Sequence, residues 1–129
     1  MATTEMLNKV LSDLMKTGEI ESSVIASRDG LLMVSCMQKG DDETFAAMSA
    51  TMLGAAETAS AELEKGIPDR VIVESNNGKL VAIGAGPKAL VVVLTPPEIS
   101  LGLVLVELGK AADEIKKILT GRRFSCGLN

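Results

Sequence analysis

Few residues in this chain are of a type that does chemistry, and their spacing does not suit the chemistry they suggest. Gly84-Ala85-Gly86-Pro87-Lys88 has the composition of a phosphate-binding loop. Such a loop needs GxxxxGK followed by Ser or Thr and then a helix. Here an apolar strand-like run follows, so the stretch reads as a turn. Asp41, Asp42 and Glu43 would offer carboxylates to a cation, yet no further ligands follow at a calcium-loop spacing. An acidic run ahead of a helix is instead an N-cap pattern. Asp29, between Arg28 and Gly30, has no partner for acid–base work and belongs to turn chemistry. The chain has no histidine, which removes the commonest general base and the commonest metal ligand together. Cys36 therefore lacks a base to make its thiolate and reads as buried packing. Arg28, Arg70, Arg122 and Arg123 are the only arginines. An arginine can stabilise a phosphoryl-transfer transition state, but nothing local singles one of these out. No catalytic residue, cofactor site or metal site is expected.

The elements that would have to position any site are those of one domain. A chain of 129 residues buries a genuine core, and 47% hydrophobic content excludes disorder. Seventeen acidic against 13 basic residues give a net charge of −4. That argues against nucleic acid, which rewards a basic patch. Phe45 and Phe124 are the only aromatics, so base stacking has no platform. Cys36 and Cys126 stand far apart with no CxxC, so zinc and redox spacings are absent. The N-terminus carries charges throughout and has no apolar signal-peptide core, so the chain reads as cytoplasmic. Cys126 is fourth from the end, but Gly127 is not aliphatic and the prenylation pattern fails. Residues 1–120 are expected to form the domain, and 121–129 a flexible tail.

Helical spacing of Met6, Leu7, Val10, Leu11, Leu14 and Met15 predicts a helix over Thr4–Lys16, ended by Gly18. Ser22–Ser27 and Leu31–Cys36 are strands joined by Arg28-Asp29-Gly30. A long helix follows from Asp42 to Lys65 and is stopped by Gly66-Ile67-Pro68. Arg70–Ser75 and Lys79–Ala85 form a hairpin around Asn76-Asn77-Gly78, where Asn-Gly tolerates positive φ. Ala89–Thr95 is wholly apolar and so central, and Pro96-Pro97 breaks it. Ser100–Leu119 is the last helix, ended by Gly121. The order α-β-β-α-β-β-β-α predicts an α/β sandwich. A five-stranded antiparallel sheet has the long helix on one face and the two terminal helices on the other.

The long helix poses the sharpest question, because no face of it belongs in water. The run Thr44–Ala56 contains no charge. On a helical wheel Phe45, Met48, Met52, Ala56, Ala59 and Leu63 form one stripe, read as the face on the domain's own core. Ala47, Ala50, Thr51, Gly54, Thr58 and Ala61 lie opposite, where a surface helix should be charged. Small residues at this spacing admit a close backbone, so this side is expected to face a protein partner. The run is too short for a membrane span, which needs about 20 apolar residues.

Three stretches carry a family resemblance. SRDGLLMVS (Ser27–Ser35) is similar to a hairpin around an Asp-Gly turn. MLGAAETASAELEKG (Met52–Gly66) is similar to an Ala-rich central helix. The run from Val71 to Ile115 is similar to a closing β-β-β-α unit with a Leu-Gly-Leu helix start. Together, over residues 4 to 120, the chain resembles the Roadblock superfamily, which includes roadblock-type dynein light chains and prokaryotic regulators of Ras-like small GTPases. The resemblance implies a homodimer, or a heterodimer with a related chain, with central helices antiparallel and third strands paired edge to edge. It implies a platform for a Ras-like small GTPase, or an adaptor tethering a larger motor or signalling complex, in either case without an active site.

The expected function is therefore a non-catalytic dimeric module that regulates a small GTPase. The alternative is a scaffold with no effect on nucleotide turnover. A small-ligand sensor ranks lower, for want of anchoring groups. Ala47, Thr51, Gly54, Thr58 and Ala61, with Arg70, Val71, Ile72 and Val73 on the strand edge, are expected at the dimer interface. Ala46, Leu53 and Glu57 are expected on a flank that meets the GTPase.

Overall fold

The computed structural model describes residues 2–17, 19–37 and 39–121. The elements are α1 (Thr3–Met15), β1 (Ser22–Ser27), β2 (Leu32–Cys36), α2 (Asp42–Glu62), β3 (Arg70–Ser75), β4 (Gly78–Gly84), β5 (Ala89–Thr95) and α3 (Leu101–Thr120). The expected order holds throughout. Gly18, expected to end the first helix, and the tail from Arg122, with Cys126, lie outside the described residues.

The strands form one antiparallel sheet in the order β2-β1-β5-β4-β3. The all-apolar β5 is its middle strand, and both of its faces are covered. Val91 and Val93 point into the layer formed with Leu7, Leu11 and Leu14 of α1 and Val104, Leu108 and Ile115 of α3. Leu90 and Val92 point the other way, into the layer capped by α2. Period-two alternation divides the two cores, so the sandwich follows from pattern alone.

Local chemistry sets the element ends. The Asp41 carboxylate accepts hydrogen bonds from the backbone N–H groups of Glu43 and Thr44 at 3.1 Å and from the Thr44 hydroxyl at 2.8 Å. These bonds, chiefly the backbone one from Thr44, hold its carboxyl below the usual range. The expected N-cap is thus present, and Asp42 accepts a bond from the Ser35 hydroxyl at 2.6 Å. The helix stops earlier than Lys65. Glu64 adopts φ 56°, while the Lys65 N–H reaches the Ser60 carbonyl at 2.9 Å and the Glu64 N–H the Ala61 carbonyl at 3.0 Å. This is a Schellman motif built on Glu64, where glycine is usual. Gly66 comes too late to be the stop. The β3–β4 turn is Asn76-Asn77, with Ser75 paired to Gly78. Neither Asn has positive φ, so positive φ is not what selects this turn. Gly78 is required for another reason: a Cβ there would lie 2.8 Å from the Thr95 carbonyl oxygen.

Candidate functional site

The surface that stands out is the side of α2 turned away from the sheet. The helix seats itself through Ala46, Ser49, Ala50 and Leu53. Ala46 is 0% and Leu53 1% exposed, in a core with Val24, Ala82 and Val92. Three of these four side chains are small, so the helix axis can lie close to the sheet. The large residues point elsewhere: Met48 is 67% and Leu63 70% exposed. Phe45 and Met52 are half-buried at the margin of the same core.

These positions correct the wheel reading by about one residue step, near 100°. The stripe Phe45, Met48, Met52, Ala56, Ala59 and Leu63 was expected on the core; Met48, Ala59 and Leu63 are exposed instead. Ala50, expected on the outer side, is buried. Ala46 and Leu53, expected to meet a GTPase, are sealed against the sheet and cannot touch a partner. The physical reason is that both stripes are apolar. Hydrophobicity alone cannot choose between them, and neither stripe seats as a whole: the flank between them, Ala46, Ser49, Ala50 and Leu53, lies on the sheet, and three of its four side chains are small. Ala47, Thr51, Thr58 and Ala61 are exposed, as an interface position requires, and Gly54 is partly exposed.

One flank of α2 is bordered by turns. Gly30, at φ +90°, brings the β1–β2 turn against the helix, and a Cβ on it would lie 3.1 Å from the Ala47 Cα. Arg28 from the same turn binds both carboxylate oxygens of Glu57 through one guanidinium nitrogen, at 3.0 and 3.2 Å. Its Nε and second terminal nitrogen donate to the Gly86 carbonyl at 3.3 and 3.0 Å. A Cβ on Gly84 would collide with this guanidinium, so Gly84 and Gly86 serve as a berth for Arg28. Arg28, Glu57, Ala50, Gly54 and Pro87 line a shallow depression of about 310 Å³. Among the described residues nothing stands within 4 Å of where a Gly54 Cβ would be, so no close contact there accounts for that glycine. Sequence reasoning missed Arg28. Its arginine has no local partner, since Glu57 and Gly86 are distant in sequence; the two glycines around Ala85 were the available signal. Glu57, expected to face a partner, is committed to this pair and remains only partly exposed.

The second unpartnered feature is the sheet edge. β3 is an end strand, bonded on one side to β4 alone. Arg70 is exposed and Val71 half-buried, while Ile72 and Val73 are over one-third exposed on opposite faces. Long apolar edges of this kind invite pairing with another chain. The other edge, β2, ends at Cys36, which is exposed. The expectation that it packs inside is therefore wrong: at the end of an edge strand it has no covering layer. Away from α2, a groove of about 570 Å³ runs between α1 and α3, lined by no aromatic residue. Its rim charges pair with each other, Lys9 with Asp13 at 3.3 Å and Lys110 with Glu107 at 3.4 Å. Among the described residues no helix is long and apolar enough to cross a membrane.

Relatives of the chain match most of its length. The protein MJ0310 of Methanocaldococcus jannaschii is 36% identical over 112 residues, which cover 86% of this chain and 97% of that one. Among solved structures, Myxococcus xanthus MglB superposes with a TM-score of 0.84 at 23% identity, over 92% of this chain and 90% of that one. A Roadblock/LC7 domain from Streptomyces avermitilis gives 0.79 at 21% identity, over 84% and 93% of the two chains. At these identities the structural likeness establishes the fold. The Roadblock/LC7 domain pattern itself matches residues 6–95, and with the five-stranded sandwich and its capping helix α2, it makes this chain a member of the Roadblock/LC7 family.

Proposed function

We propose that the protein is a non-catalytic, dimeric interaction module of the cytoplasm that binds a Ras-like small GTPase and regulates it. The carrying observation is the outward side of α2. It carries no charge from Thr44 to Ala56 and leaves Met48 and Leu63 standing in solvent, beside a β3 edge whose ladder is half unused. A monomer gains nothing from either feature. A second copy of the chain, or a related one, covers both: β3 pairs with its counterpart and the α2 helices come together. Arg70, Val71, Ile72 and Val73 form the edge contact in this reading. Ala47, Thr51, Gly54, Thr58 and Ala61 belong to the exposed α2 surface, which serves either the dimer or the GTPase. The family resemblance supports the GTPase as the second partner.

Two measurements test this. Light scattering across a dilution series should give a dimer of the 13.5 kDa chain. A panel of Ras-like GTPases should then contain one whose nucleotide exchange or hydrolysis changes on binding. Binding without any change in turnover would reduce the protein to a scaffold, and a monomer at every concentration would remove the dimeric platform.

A further inference from the structure

The depression beside Gly54 is shaped for a guest, and its lining selects the chemistry of that guest. This inference rests on α2 being the partner surface, as read above, and names what the partner inserts there. Ala50 is nearly buried at the base, Gly54 adds no side chain, Pro87 stands exposed on one side, and Arg28 and Glu57 supply the polar end. A helix with its side chains is about 10–12 Å across. The turns that carry Arg28 and Pro87 border this flank of α2, so a hollow of about 310 Å³ admits a side chain and not a helix. Glycine destabilises a helix interior relative to alanine. Among the described residues nothing stands within 4 Å of the missing Gly54 Cβ, so no contact inside the chain requires the glycine. A Cβ there would narrow the hollow that Gly54 lines.

The polar end offers more acceptors than donors. Arg28 makes four hydrogen bonds with its five N–H groups, two to Glu57 and two to the Gly86 carbonyl. The Glu57 carboxylate has about four acceptor positions and Arg28 takes two of them. Asp29 and Lys88, exposed in the two bordering turns, offset each other. From Asp41 to Glu64 the chain carries six acids and no base, so the field along α2 favours a cation. We infer that the protein docking on α2 inserts one arginine or lysine side chain here, its stem over Ala50, Gly54 and Pro87 and its charged head at the unused lone pairs of Glu57. Long amphipathic side chains bury their stems while the head stays charged, and arginines that fill pockets are common among the residues that dominate binding energy. A carboxylate is disfavoured in the same place, because Arg28 has one N–H left and the acids of α2 repel it.

Two small probes test the pocket on the full-length protein by nuclear magnetic resonance. N-acetylarginine methylamide should shift the backbone amide resonances of Gly54 and Glu57 saturably, and N-acetylglutamate methylamide should leave them in place. Gly54→Leu, which fills the hollow, should abolish the response at Glu57 while the protein melts no lower than its parent. Glu57→Gln keeps the hollow and should weaken the arginine probe several-fold, which makes the test independent of how Gly54→Leu folds. Shifts with the acidic probe alone, with both probes equally or with neither overturn the inference, and so does an undiminished response in Glu57→Gln. With a GTPase found in the panel, Gly54→Leu should cut its affinity about tenfold. An unchanged affinity overturns this pocket and leaves the GTPase reading standing. A response to the arginine probe in a protein that binds no GTPase supports the pocket and removes the GTPase reading instead.

Discussion

Leu53→Ala and Met48→Ala remove the same number of side-chain heavy atoms from the same helix, yet they should behave oppositely. Leu53 is 1% exposed and sits between α2 and the sheet. Its truncation loses transfer free energy of about 2.4 kcal/mol, and the cavity left behind brings the total to about 3 kcal/mol, within the usual range for buried leucines. Met48 is 67% exposed, so the corresponding loss within one chain is about 0.8 kcal/mol. The gain in helix propensity offsets part of that. The chain has no Trp or Tyr, so urea unfolding is best followed by far-UV circular dichroism. Protein concentration should be varied, because association adds to apparent stability by mass action. The Leu53→Ala loss should persist at every concentration. The Met48→Ala loss should be small where the protein is dilute and grow where it dimerises. Equal losses for the two variants in dilute protein would refute the seating of α2 on Ala46, Ala50 and Leu53 and restore the wheel's original orientation.

Three further outcomes follow from individual contacts. Gly54→Ala should stabilise the isolated chain by about 0.5–1 kcal/mol, since the position is mid-helix and a Cβ meets nothing there; thermal unfolding of dilute protein checks it. Arg28→Ala should cost about 1–2 kcal/mol in urea unfolding, because it releases the Gly86 carbonyl and the Glu57 carboxylate together. The pair is about one-third exposed, which keeps the figure low. A double-mutant cycle with Glu57→Gln should show coupling between the two sites. The Asp41 carboxyl is held below its ordinary range by the bonds it accepts at the helix start. Its stabilising effect is present above the unfolded-state pKa and is lost as pH falls through the lower folded-state value. The acid limb of a stability–pH profile should therefore flatten in Asp41→Asn, and an unchanged limb would remove the cap from the account.

Sequence by itself determined the element order, the antiparallel sheet with β5 at its centre and the division of helices between its faces. Those outcomes depend on local signals: period-two alternation in the strands, i, i+3, i+4 spacing in α1 and α3, and glycine or proline at the breaks. It also revealed that α2 lacks a water-facing side, because charge-free runs are visible without coordinates. Tertiary structure decided which side of α2 seats on the sheet. The helix has no charge from Thr44 to Ala56, so hydrophobicity does not single out a seated face, and the flank between the two stripes is the one that goes in: Ala46, Ser49, Ala50 and Leu53 are buried while Met48 and Leu63 stay out. It decided the exposure of Cys36, which follows from β2 lying at an edge. It also decided the role of Arg28, whose carboxylate and carbonyl partners are brought to it only when the turns and α2 converge. Contacts between residues far apart in sequence leave no periodic trace, so these features could be read only once the chain was folded.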